Sequence, residues 1–345
     1  MIQFFPLFWS RLFLLTCCTF ILQDSAFADQ GSQELSSLWQ QYKQNYILDG
    51  RVVNLDEDRI TTSEGQSYAM LRAVWSDDPI TFKAVWGWTR QNLRVRGDAL
   101  FAWKWKDRVL DPHMATDADS DIALALLMAS KRFSEPGYQE EALRVLDDLW
   151  KETVVESKGQ YFITAGEWAP GEHFPTIHVA YLAPYAYEIF ANVDYRHDWR
   201  KLVQSSYRIL HWIYFEQKLQ LPPEVIYLDR SSGGFFLTSP TASSAPKMGY
   251  DSVPIFWRIA FDAVLFKRDE AALRNRMLEF FQTEWNKSPS YRRIFEQYSL
   301  DGTPLSKFEG LPFYPTLHAL ANVSSPMLAK EIAQGKLSPL WKNAL

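Results

Sequence analysis

Three short segments place carboxylates beside small or aromatic residues where apolar-periodic stretches begin. In Thr62-Ser63-Glu64-Gly65-Gln66-Ser67-Tyr68 an acid stands at the start of a helical pattern, with Gly65 leaving room for a second chain and Tyr68 one turn further on. By itself Glu64 reads as a first-turn acid that complements the helix dipole. Ala115-Thr116-Asp117-Ala118-Asp119-Ser120-Asp121-Ile122-Ala123 carries three acids at alternate positions before a second apolar run. Asp117 or Asp119 is expected to cap that helix, and one cap leaves the other acids without a structural role. Carboxylates crowded in this way repel one another, so one is expected to keep its proton or to reach a ligand hydroxyl. The third segment, Gly249-Tyr250-Asp251-Ser252, precedes the apolar run Val253 to Phe266 and in isolation reads as an ordinary N-cap.

The D-x-D-x-D spacing also suggests a calcium loop, but Ile122 stands where the sixth loop position needs Gly, so no metal site is expected there. The six histidines, His113, His173, His178, His197, His211 and His318, show no ligand spacing, and surface or core roles are expected for them. No phosphate-binding Gly-rich loop, H-E-x-x-H or G-x-S-x-G is present, which removes support for nucleotide, zinc-protease and serine-hydrolase readings. No metal and no cofactor are expected. Phe101-Ala102-Trp103-Lys104-Trp105-Lys106 alternates rings with lysines, which suits either an edge strand covering the core or a platform on which sugar rings stack.

The elements that must carry these segments are mostly helices. Apolar residues recur at three and four positions, as in Tyr68, Leu71, Val74 and Trp75, or Ile122, Leu126, Ala129 and Phe133. Further helices are expected over 79–93, with Asp78 before Pro79 as a start signal, and over 138–154, 179–193, 199–217, 252–266, 270–285 and 317–321. Short strands are expected near 161–164, 225–228 and 235–237. About ten to twelve helices without a repeat period or a linker suit an all-α toroid of paired helices in one domain, 29–345.

Composition narrows the partners. Of 345 residues, 36 are Lys or Arg and 41 are Asp or Glu, a formal charge of -5 with no basic cluster for a phosphate backbone, so no nucleic acid is expected. Aromatic content of 15 % exceeds the usual need of a core, and some rings are expected to face a ligand. Residues 1–28 read as an export signal: Arg11 precedes the apolar run Leu12 to Leu22, and Ala26-Phe27-Ala28 offers cleavage before Asp29. A lipoprotein signal ending at Cys17 fits less well, because Thr16 precedes the Cys. Both cysteines, Cys17 and Cys18, fall in that leader, so the mature chain is expected to carry no thiol and to be secreted or periplasmic, with no membrane contact after processing.

The three acidic segments, in this order and separation, resemble those of glycoside hydrolase family 8, inverting endo-glucanases on an (α/α)6 barrel. Within that family the likeness is greatest to the cellulases associated with bacterial cellulose synthesis. The resemblance runs from about Leu38 to Leu320 and is weaker after Asp251. It implies Glu64 as the general acid, Asp251 as the general base and Asp117 as the residue that holds the distorted sugar. It also implies Trp103, Trp105 and Tyr181 as cleft aromatics; Tyr68 and Tyr250, beside the acids, are expected to bind substrate as well. Two departures stand out: Pro254 occupies the place of an Arg three residues after the base, with Arg258 one turn later, and His178-Val179-Ala180 replaces Asn-Pro-Ser before Tyr181. The implied activity is inverting endo-hydrolysis of β-1,4-glucan by a monomer without cofactor. A xylanase or chitosanase on the same barrel, or an inactive glucan-binding homologue, is the alternative.

Overall fold

The computed structural model describes residues 25–238, 245–287 and 292–340. The apolar run of the leader and Cys17–Cys18 lie outside them. Eleven α-helices are found among the described residues: α1 (Ser25–Tyr46), α2 (Ser63–Trp75), α3 (Pro79–Asn92), α4 (Thr116–Arg132), α5 (Pro136–Thr153), α6 (Pro184–Ala191), α7 (Trp199–His211), α8 (Pro254–Phe266), α9 (Ala271–Lys287), α10 (Phe313–Ser324) and α11 (Pro326–Ile332). None is long and apolar enough to cross a membrane.

Burial separates the helices into two layers. Eleven of the thirteen residues of α2 and thirteen of the seventeen of α4 are buried, whereas α5 buries only Ala142, Val145, Leu146, Leu149 and Thr153, a single stripe at helical spacing. A helix buried nearly all round must be enclosed by other helices; one with a single apolar stripe faces solvent on its other side. Accordingly α2 packs on α4, α4 on α6, α6 on α8 and α8 on α10, forming an inner ring. The outer helices α3, α5, α7 and α11 each back onto the preceding inner helix. This is the toroid of paired helices expected from the helix count, and the all-α (α/α)6 barrel that the resemblance implies.

Helix α1 shows how the outer layer is fastened. The Asp78 carboxylate caps α3 by accepting from Thr81 N at 3.0 Å, and also accepts from Trp39 Nε1 at 3.1 Å and Lys43 Nζ at 2.7 Å on α1. Burial opposes its ionisation, but these donors outweigh burial and lower its pKa to about 2.

Short antiparallel strands decorate the loops. Thr61–Thr62, Lys104–Lys106 and Arg108–Asp111 form one sheet in that order; Phe235–Phe236, Val225–Leu228 and Thr176–His178 form another; Lys247–Met248 pairs with Tyr298–Ser299. The expected helix over 179–193 is broken into a 3-10 turn, Val179–Tyr181, and α6. Pro184 accounts for the break, because the residue before a proline is pushed out of the helical region, and Ala183 has φ -125° and ψ 65°.

Candidate active site

The first acid is held by strand, cap and core together. Thr61 and Thr62 pair with Trp105 and Lys104, and Ser63 N donates to Trp103 O at 3.0 Å. The Thr62 hydroxyl then accepts from Gly65 N at 3.1 Å, starting α2 with Glu64 in its first turn. Two residues on, the buried Gln66 amide donates to Gly50 O at 3.1 Å and Thr89 Oγ1 at 2.7 Å and accepts from Val52 N, tying α2 to α3 and to the preceding loop. Gly50 itself has φ +86°, and a Cβ there would lie 2.2 Å from Ala84 O, so only glycine fits.

Glu64 is half-buried, and its Oε1 accepts from Tyr68 OH at 3.0 Å. Burial first, and then the negative charge of Asp117, push its pKa well above the usual carboxylate range, against the opposing Tyr68 bond. Glu64 also shares a hydrogen bond with Asp117 in which protonated Glu64 is the donor. Asp117 is buried, and burial lifts its pKa to about 6 while Arg258 and the bond from Glu64 pull it down. The two acids therefore take opposite roles, with Glu64 holding the proton and Asp117 accepting.

Neither Asp117 nor Asp119 caps α4, contrary to the expectation from sequence. The helix starts two residues earlier than a cap at Asp117 requires, with Ala115 at the N-cap and no side-chain cap bond. Asp117 is thereby left for the cleft. Asp119 instead accepts from Phe101 N at 3.0 Å, fixing the loop that leads to Trp103. Asp121 binds the Arg258 guanidinium through two bonds of 3.1 and 2.7 Å, both side chains fully buried. Arg258, which the sequence offered as a substitute partner for Asp251, is thus committed to the Asp117–Asp121 side. From there it lowers the pKa of Asp117 by its charge.

Asp251 lies in the 3-10 turn Tyr250–Ser252 ahead of α8, exposed, and makes no cap bond to that helix. Pro254 occupies the first turn of α8, where its missing N–H leaves nothing unsatisfied. Asp251 is close enough to Glu64 to raise its pKa, so the three acids converge although they come from α2, α4 and the turn before α8. Tyr181 reports the same convergence: after burial, the charges of Asp117, Glu64 and Asp251 each push its pKa up.

Around Asp251 stand two residues that sequence reasoning missed as site members. His178 stacks on Tyr181 with ring centroids 4.7 Å apart and planes 18° from parallel. Glu224 has its pKa raised to about 7 by burial and by Asp251, with Lys247 opposing. Only the altered tripeptide before Tyr181 pointed to His178, and nothing local marked Glu224.

The aromatics separate by environment. Trp103 is half-buried beside Ser63, next to Glu64 at the start of α2, with its indole bonded to Asp111. Trp105 meets Trp88 edge-on at 5.1 Å and lies under the Arg51 guanidinium at 4.4 Å, contacts that belong to packing. Tyr68 is buried against Glu64, while Tyr250 turns its hydroxyl to Glu296 at 3.0 Å. Among the described residues no group of three potential ligands is arranged to hold a metal ion.

The family model for glycosyl hydrolases family 8 matches residues 13–301, a span containing Glu64, Asp117, Tyr181 and Asp251. The chain belongs to that family. A probable endoglucanase of Novacetimonas hansenii is 29 % identical over 241 residues, covering 67 % of this chain and 68 % of that protein. Alignment with an endoglucanase of Cellulomonas uda, also 29 % identical, covers 63 % of this chain and 61 % of that protein, less than two thirds of its length. The endo-β-1,4-glucanase CMCax from Acetobacter xylinum superposes with a TM-score of 0.69 at 22 % identity, over 89 % of this chain and 98 % of that one. Its likeness establishes the barrel. Family 8 enzymes hydrolyse glycosidic bonds with inversion, and this member is a glycoside hydrolase among endoglucanase relatives.

Proposed function

We propose that Glu64, Asp251 and Asp117 carry out inverting endo-hydrolysis of β-1,4-glucan. One observation supports this above the others: Glu64 keeps its proton through burial and the charge of Asp117, while Asp251 stands exposed on a separate turn within electrostatic reach. Inversion needs one carboxylic acid and one carboxylate with a water between the base and the sugar. In the reaction, Glu64 gives its proton to the glycosidic oxygen as the bond from that oxygen to the anomeric carbon breaks. A water attacks the opposite face of that carbon, and its proton passes to Asp251. Each proton transfer contributes about 10²–10⁴-fold in rate. Asp117, freed when Glu64 turns its proton toward the substrate, accepts from the distorted ring and holds it beside the scissile bond.

Trp103 supplies a stacking face next to Glu64, and Tyr181 lies among all three acids. The chain acts as a monomer, and residues 1–28 direct it to the periplasm or the outside, leaving Asp29 as the mature N-terminus. Reducing-end release on carboxymethylcellulose, xylan and chitosan in parallel tests the substrate. Fastest release from carboxymethylcellulose, abolished in Glu64→Gln with oligosaccharide binding retained, is the expected result. Near-normal turnover in Glu64→Gln would remove Glu64 as the acid.

A further inference from the structure

Asp251 has to be aimed, and the residues nearest to it in the fold are not those that aim its partners. Glu64 is bonded by Tyr68, and Asp121 is gripped by Arg258. For Asp251, among the described residues, no ion pair or hydrogen bond holds the carboxylate. What surrounds it is a small built cluster. The strand ending at His178 lies antiparallel to the strand starting at Val225, with His178 directly opposite Val225. Glu224, one residue earlier, joins the neighbouring segments through its backbone: its carbonyl accepts from Val179 N at 3.1 Å, and its N–H donates to Lys247 O at 2.9 Å. Its carboxylate packs on Gly249, where a Cβ would lie 2.3 Å from Glu224 Oε1. The turn bearing Asp251 is thereby set against Glu224, and it packs on the 3-10 turn Val179–Tyr181 that follows His178 directly.

Within that cluster His178 is the side chain still able to bond. Its ring lies flat on Tyr181 at 4.7 Å, and its Nδ1 is buried without a partner among the described residues. A buried ring nitrogen in that condition is poised for a bond to something that enters the cleft. Glu224 is already engaged, with Lys247 Nζ 3.9 Å from its Oε2.

We propose that His178, as a neutral imidazole stacked on Tyr181, is the positioning residue that directs Asp251 and its attacking water. The inference rests on the reaction proposed above. The charged and titratable groups that face the ring are Asp251 on the turn before α8 and Tyr181 beneath it; Glu224 acts on Asp251, and Lys247 acts on Glu224. Burial lowers the pKa of His178 and Asp251 opposes that effect, so the ring is neutral near pH 7.

His178→Phe keeps the stack and removes the nitrogens, whereas His178→Gln keeps a donor and an acceptor without the ring. Both variants are assayed against wild type on cellohexaose from pH 4 to 9. The expected result is a fall in kcat of about tenfold or more in His178→Phe with KM within about twofold, and an acid limb of the profile displaced to higher pH. His178→Gln, judged per folded molecule by circular dichroism, is expected to recover at least about threefold of that loss. An unchanged kcat and profile in His178→Phe would overturn the proposal, as would a raised KM at constant kcat, which marks a sugar contact. A normal His178→Phe beside a crippled Glu224→Gln would give the role to Glu224 and overturn it equally. If wild type releases no reducing ends, the proposed reaction fails and this inference falls with it; a fully active wild type and an unimpaired His178→Phe overturn the inference alone.

Discussion

Glu64 and Asp117 show how one pair of carboxyls is made unequal. Both are raised by burial, but Glu64 donates the shared hydrogen bond and Asp117 receives it, and Arg258 favours the ionised form of Asp117 alone among the two acids' named influences. The arrangement costs stability. The folded-state pKa of Asp117 is about 6, above its ordinary value of 3.8. Between those values the folded chain holds a proton that the unfolded chain has lost, so stability falls as pH rises through that window. Asp117→Asn removes the titration. It is expected to raise Tm by about 2–6 °C at pH 7.5 while abolishing hydrolysis, with the gain vanishing below about pH 4. Thermal melts at the two pH values check this, and an equal gain at both would contradict it. The acids themselves were legible in the sequence because their types and spacing exceed what capping needs. Their protonation was legible only as a tendency, since it depends on which of them a distant arginine faces.

The helices owe their relative placement to a few buried polar ties. Asp121 and Arg258 lie 137 residues apart and join α4 to α8 in the dry interior of the ring. Arg258→Met leaves a buried carboxylate uncompensated, and a loss of about 3–5 kcal/mol by denaturant unfolding is expected. The double change Arg258→Met with Asp121→Leu is expected to lose clearly less, because the stranded charge is gone. Equal losses in the single and double variants would contradict a pairing role. The strand Lys104–Lys106 and Trp103 just before it offer a second contrast. Trp103→Ala is expected to weaken oligosaccharide binding by about 1–3 kcal/mol, whereas Trp105→Ala, by emptying the space between Arg51 and Trp88, is expected to lower Tm with little change in binding. Titration calorimetry and thermal melts of both variants separate the two outcomes. Helix positions were legible wherever an apolar stripe and a start signal coincided, as at Asp78-Pro79. They misled at Pro184, where an unbroken apolar pattern hid a turn, and at Asp117, where a capping residue type stood inside the first turn of its helix.

At the scale of the molecule, a ring of helices brings the starts of α2, α4 and the turn before α8 together, so residues 64, 117 and 251 meet although they are far apart in sequence. The helix count made the toroid legible, since each helix carries its own periodic signal. The base side was less legible. His178 and Glu224 come together because Thr176–His178 pairs with Val225–Leu228; the second strand carried a sequence signal, but its three-residue partner and their pairing did not. The central claim is that Glu64 and Asp251 act on opposite faces of one sugar. The most direct test is proton NMR of the product in the first minutes of cellohexaose hydrolysis, before the anomers equilibrate. The α-anomer is expected as the first product; a β-anomer would contradict the pairing of Glu64 with Asp251.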